Sequence, residues 1–193
     1  MNIYFDTEFT GLVPDTDLIS IGMVADNDLL FYAEFTDYDE SKCDQWIREN
    51  VLSHLTFCGR ENSRKYHPQK TGRYSQVMSG TTDQIVRELR QWLAQFAEHG
   101  ERVQMIGDVS HYDMVLFCNL FGGAMHLPAG VNPVCFDICQ CLPGHGGKTL
   151  AEQMDSAFNL SREDISPGVK GSAHDSLHDA LVIRELYHRF VPR

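Results

Sequence analysis

The sequence predicts an α/β fold, a mixed β-sheet with helices packed on its faces. Three observations predict it. Three strand-length segments rich in β-branched and aromatic residues follow one another at the N-terminus, with a turn signal at Asp26-Asn27-Asp28. The apolar spacing then changes from strand-like to helical. A further short apolar run is flanked by helical segments on both sides, an order that layers helices over a sheet. The 193 residues suffice for one domain with a substantial core. No repeat or linker divides them, so the chain reads as a single domain over 1–193.

Taken in order, Asn2–Phe9 is the first strand. Leu18–Ala25 is almost continuously apolar and so central, and 29–36 completes an antiparallel meander. Residues 44–55 form a helix with Trp46, Ile47, Val51 and Leu55 on one face. Residues 58–80 are polar and basic with little periodicity and read as a loop or insertion. Thr81 or Thr82 caps a helix running to about His99, with Ile85, Leu89, Trp92, Leu93 and Phe96 at helical spacing. A short strand at 103–107 precedes a helix at 110–121. Residues 122–147 are rich in Gly and Pro. One helix starts near Thr149, and the last spans Ser176–Phe190, with Leu177, Leu181, Ile183, Leu186, Tyr187 and Phe190 mostly inward.

Composition narrows the class. No apolar run approaches the roughly 20 residues that span a bilayer. Nor does the N-terminus carry a basic segment followed by an apolar one, which favours the cytoplasm. Six cysteines without a CxxC pair read as reduced, mostly buried thiols rather than a zinc site. The formal net charge of −11 opposes general attraction to nucleic acid. The charge is uneven, however: Arg60, Arg64, Lys65, Lys70 and Arg73 cluster against Glu61 alone.

Three segments carry chemistry. In Phe5-Asp6-Thr7-Glu8-Phe9-Thr10-Gly11-Leu12, the two acids lie two apart on a strand, so both carboxylates project from one face. Such a pair is unfavourable unless a cation lies between them, and Mg²⁺ and Mn²⁺ prefer oxygen ligands. The second segment, Ser110-His111-Tyr112-Asp113, places an acid in the first turn of a helix. The third, His174-Asp175-Ser176-Leu177-His178-Asp179-Ala180, opens the last helix. Each alone fits a plain structural role: a polar strand end, an acid favoured by the helix dipole, and a capped N-terminal turn.

Together and in this order they resemble the three exonuclease motifs of the DEDD superfamily. His174 and Asp179 match the spacing of its DEDDh branch. Where many members carry His-Asn five and four residues before the second motif's acid, this chain has Asp108-Val109. Asp108 is read as holding a water or as a strand-end acid, and His178 as a surface or supporting residue. The N-terminal half, with Leu18-Ile19-Ser20-Ile21-Gly22 and the helix after Trp46, is similar to the small prokaryotic exoribonuclease family that includes ribonuclease AS. The similarity covers most of the chain except about 58–80.

The resemblance implies an RNase H-like (DnaQ-like exonuclease) fold and 3′→5′ degradation of single-stranded RNA to 5′-mononucleotides. It implies a homodimer and two divalent ions, Mg²⁺ or Mn²⁺, held by Asp6, Glu8, Asp113 and Asp179. His174 becomes the general base, its imidazole poised by an ordinary pKa of about 6.5. Leu12 wedges against the terminal base, Glu8 also meets the 3′ hydroxyl, and Thr10 and Gly11 complete the substrate-binding set. Basic residues of 60–73 are candidates for upstream phosphates.

Three other readings stand beside this one. The same chemistry can act on DNA. His174-Asp175-x-x-His178 looks like the zincin HExxH pattern with Asp for Glu, which makes a zinc hydrolase a rival. A catalytically dead nucleic-acid-binding module is the non-enzymatic alternative.

Overall fold

The computed structural model describes residues 1–57, 64–69, 72–143, 149–166 and 168–192. It is an α/β structure built on a mixed seven-stranded sheet, compatible with an RNase H-like fold. The strands are β1 (Asn2–Phe9), β2 (Leu18–Ala25), β3 (Leu30–Phe35), β4 (Arg64–Pro68), β5 (Tyr74–Gly80), β6 (Gln104–Gly107) and β7 (Phe136–Asp137). Their order across the sheet is β4-β5-β3-β2-β1-β6-β7. The β1–β2–β3 meander is antiparallel as expected, and β6 lies parallel to β1 on its other side.

The region read as a loop over 58–80 is a correction. β5 pairs parallel with β3, and β4 adds antiparallel to β5. Ser75, Gln76 and Ser79 are buried despite being polar. A strand that buries Ser75, Gln76 and Ser79 beside a lone buried apolar residue, Met78, leaves no apolar period for a sequence reading to find. The two-residue β7 was likewise hidden in the Gly/Pro-rich stretch.

Helices cover both faces: α1 (Gln45–Asn50), α2 (Thr82–Ala97), α3 (His111–Leu120), α4 (Leu150–Phe158), α5 (Arg162–Ile165) and α6 (Ser176–Phe190). Odd positions of β1 face α2 and α3, where Ile3 and Phe5 join Trp92, Phe96 and Phe117 in the main core. Tyr4 faces the opposite way and packs with Val182, Ile183 and Leu186 of α6. Of the residues expected inward on α6, Ile183 and Leu186 are buried and Leu177, Leu181, Tyr187 and Phe190 only partly so; Ala180 and Val182 complete the buried stripe. Ile47 of α1 and Val51 just after it bury against Ile19, but Trp46 turns outward and is half-exposed. Cys43, Cys118 and Cys139 are buried free thiols, Cys135 and Cys141 partly buried ones, and Cys58 lies outside the described residues. No helix among the described residues is long and apolar enough to cross a membrane.

One close approach positions the last helix. Gly22 of β2, paired with Asp6 of β1, lies directly beneath the start of α6. A Cβ at Gly22 would meet the Ser176 and Leu177 backbone at 2.3 Å. Ser20 and Ser176 join the two elements by a 2.9 Å hydroxyl contact in the interior. Absence of a side chain at Gly22 therefore sets the height of α6 above the sheet. Gly22→Ala is expected to destabilise the protein by about 1–3 kcal/mol or more through overpacking, measured by urea denaturation.

Candidate active site

The site forms where β6 stops accompanying β1. The two strands pair only through Tyr4 and Ile106, so the second half of β1 has an open edge. Asp113 fills it. Its Oδ1 accepts from the Thr7 backbone N–H at 3.0 Å and from the Thr7 hydroxyl at 2.6 Å. Thr7 points toward α3, whereas its neighbours Asp6 and Glu8 point toward α6 by strand alternation. Phe9 and Tyr112 stack with ring centroids 5.5 Å apart, which ties the first turn of α3 to the end of β1.

From the opposite side, α6 brings Asp179. Asp175 caps the helix, accepting from the N–H groups of Leu177 and His178. His174, just before the cap, has φ +65 and donates its backbone N–H to Asp179 Oδ2 at 2.8 Å. That bond aims the carboxylate while the reversed backbone brings the imidazole round beside it. Ligand atoms of Glu8, His174 and Asp179 all lie within 4.8 Å of one another.

Asp6, Glu8, Gly11, Leu12, Asp113, His174 and Asp179 line one open cavity of about 610 Å³. Thr10 does not line it. Its buried hydroxyl accepts from the Asp17 N–H and meets that of Thr16, so Thr10 closes the 10–17 turn. Leu12, expected to wedge against a terminal base, is 73% exposed at the cavity edge.

Charge is the dominant feature of the pocket. Burial pushes the Asp6 carboxyl well above the usual range, and the charges of Asp113, Glu8 and Asp179 push it further. Burial likewise raises Glu8 to about 8, with Asp179 and Asp113 adding to the effect. Asp113 is raised by burial, against the opposing pull of its Thr7 hydrogen bonds. Acids driven toward their neutral forms by one another are a donor set suited to bound divalent cations, which reverse the local logic.

Several neighbours were not foreseen. The Trp46 ring stands edge-on to His174 at 4.8 Å. Phe158, Leu160 and Arg162 form another part of the cavity lining. Asp108 is engaged by Arg162. His178, read as surface or supporting, is buried, with Nδ1 packed against Gly171 and no hydrogen-bond partner among the described residues. Among the described residues it shares no metal-binding cluster with His174, the pairing that the zinc reading needs. Of the basic stretch, Arg60 and Lys70 lie outside the described residues. Arg73 pairs with Glu101 at 3.2 Å. β4 sits four strand spacings from β1, roughly 19 Å away across the sheet.

A family model described as "3'-5' exoribonuclease Rv2179c-like domain" matches residues 1–190. The chain belongs to the Rv2179c-like 3′–5′ exoribonuclease family. Membership makes it an enzyme of the 3′–5′ exoribonuclease class. Two curated relatives from Mycobacterium tuberculosis are each 28% identical over 131 residues, covering 68% of this chain and 67% of theirs. They are the 3′-5′ exoribonuclease Rv2179c of strain ATCC 25618 / H37Rv and the 3′-5′ exoribonuclease MT2234.1 of strain CDC 1551 / Oshkosh.

The electrostatics give a testable sign. Glu8 rises in the folded, metal-free protein from an ordinary 4.5 to about 8. Between those values the unfolded chain has released a proton that the folded chain retains, so folding stability falls as pH rises. Metal-stripped protein should melt at a lower temperature at pH 8 than at pH 5.5. Mg²⁺ or Mn²⁺ should raise the melting temperature more at pH 8, and Asp6→Asn should raise it without metal. Scanning calorimetry in EDTA and in millimolar cation checks all three.

Proposed function

We propose that this family member is a single-domain, metal-dependent exonuclease that removes 5′-mononucleotides from the 3′ end of single-stranded RNA. The carrying observation is the convergence of Asp6, Glu8, Asp113 and Asp179 with His174 in one open cavity. The relatives' description as exoribonucleases supports RNA over DNA. A homodimer belongs to this reading through the family resemblance, and a cytoplasmic setting is part of the same proposal.

The donor set is all-oxygen apart from His174, which suits Mg²⁺ or Mn²⁺ better than zinc. Held by the four carboxylates, two such ions would activate a water and neutralise charge on the scissile phosphate. The remaining work belongs to side chains. His174 accepts the proton of the attacking water, and its position on the reversed turn before α6 lets the imidazole face the cavity beside Asp179. Trp46 restricts the ring's swing from one side. Leu12 meets the terminal base at the cavity edge, Gly11 lets the backbone approach it, and Glu8 meets the terminal 3′ hydroxyl. Thr10 contributes by shaping the turn that presents them.

Matched RNA and DNA oligomers labelled at the 5′ end, with free or blocked 3′ ends, test the reading. RNA with a free 3′ end should shorten one nucleotide at a time in Mg²⁺ or Mn²⁺, and EDTA should stop it. Preferential loss of DNA would instead assign a deoxyribonuclease, and activity restored by zinc alone would favour the His174/His178 rival. No shortening of either oligomer in any of these ions would leave the binding-module reading. Asp6→Ala should abolish mononucleotide release in a folded protein. His174→Ala should lower kcat by roughly 10²–10⁴-fold, the usual worth of a general base.

A further inference from the structure

Arg162 is the one Lys or Arg among the described residues lining the catalytic cavity. A lone cation in an acidic pocket invites assignment as a phosphate clamp. Its bonding argues otherwise. A guanidinium has five N–H donors, and here each has an acceptor. Nε and Nη2 form a two-point pair with Asp108, the Nη2–Oδ1 distance being 2.9 Å. Nη1 donates to the Ala157 carbonyl at 2.7 Å and the Leu160 carbonyl at 2.9 Å. The second Nη2 hydrogen meets Cys139 Sγ at 3.2 Å, and that thiol donates to Asp108 Oδ1 at 3.0 Å. Both side chains are more than four-fifths buried.

No donor is left to take a phosphate oxygen. Instead, Arg162 joins the end of β6, the turn containing Cys139 and the C-terminal end of α4. The last of these carries Phe158 and Leu160 into the cavity lining, with Phe158 59% exposed. This helix of nine residues fully buries only Ala157, with Met154 and the following Leu160 partly buried beside it, so its apolar anchorage is narrow. Two backbone carbonyls anchored on a buried ion pair supply what packing does not.

We propose that Arg162 is a positioning residue for substrate, which fixes Phe158 and Leu160 as the apolar wall against which the 3′-terminal nucleotides rest. It rests on the exonuclease reading above. The pair with Asp108 also keeps that carboxylate's oxygens engaged outside the Asp6–Glu8–Asp113–Asp179 group.

Steady-state digestion of a 5′-labelled RNA oligomer by the full chain tests it. Arg162→Gln and Phe158→Ala should each raise KM about tenfold, the scale of one lost apolar or stacking contact to a base. Both should leave kcat within about threefold. Arg162→Lys should not rescue, because an ammonium has three donors and no planar fork. The dependence of log KM on log salt should keep its wild-type slope in Arg162→Gln. A slope reduced by about one unit would mean a direct phosphate contact and overturn the proposal. Full rescue by Lys would reduce the role to charge and also overturn it. Phe158 is exposed, so Phe158→Ala tests the wall even if Arg162→Gln fails to fold; a wild-type KM there defeats it. Hydrogen exchange over 150–158 should quicken in a folded Arg162→Gln, and unchanged exchange counts against the anchor. A wild-type chain inactive on RNA defeats the exonuclease reading itself, whereas an active one with wild-type KM in both variants defeats only this inference.

Discussion

Mutual repulsion among Asp6, Glu8, Asp113 and Asp179 is the constraint around which the rest of the structure is arranged. Each carboxylate is partly or wholly withdrawn from water, and the charges of Asp113 and Asp179 raise the cost of ionising both Asp6 and Glu8. No element brings two of these groups together by accident of packing. Asp6 and Glu8 share a strand face, Asp113 comes round the open edge of β1, and Asp179 descends from α6. The energy that holds them in place comes from apolar burial elsewhere: Trp92, Phe96 and Phe117 on one side of the sheet, Val182, Ile183 and Leu186 on the other.

The convergence depends on backbone as much as on side chains. The early end of β1–β6 pairing leaves the Thr7 N–H open, and Asp113 takes it. If β6 continued alongside β1, that N–H would be spent in the sheet and the third acid would have nothing to hold. Gly22 acts on the opposite face, where its missing Cβ admits the α6 backbone. The loop before α6 then needs a left-handed residue at His174 to bring both its N–H and its ring to Asp179. These are three small backbone facts, and the positions of Asp113 beside β1 and Asp179 above it follow from them.

Much of this was legible in the residue order. Alternation put Asp6 and Glu8 on one face, helical spacing found α2, and Asp113 and Asp179 fell in the first turns of their helices. What escaped had no periodic signal. β5 buries Ser75, Gln76 and Ser79, residues that read as loop. Trp46 looked like a core aromatic because helical spacing put it with Ile47 and Val51, yet α1 has only six residues and turns that ring toward His174. Arg162 sits in the polar run Ser161-Arg162-Glu163-Asp164, where nothing marks a pairing with Asp108 across 54 positions. Thr10 belonged to a recognisable motif, but its place in that motif did not reveal that its hydroxyl closes a turn. Local pattern reports burial and capping; it does not report long-range polar pairing.

The net charge of −11 bears on how such a site meets nucleic acid. A polyanion approaching this pocket faces at least four carboxylates, and Arg162 offers it no free donor. Among the described residues of the basic stretch, Arg73 is paired with Glu101 and β4 lies at the far edge of the sheet, so neither offsets that at close range. In the reading proposed here, the cations that complete the chemistry are also what makes the pocket approachable. Cation and RNA binding are then linked: each lowers the electrostatic cost of the other, and by reciprocity the RNA strengthens cation binding by the same factor. An enzyme built this way has no need of a basic surface, and its affinity follows the free concentration of divalent ions more closely than its own formal charge.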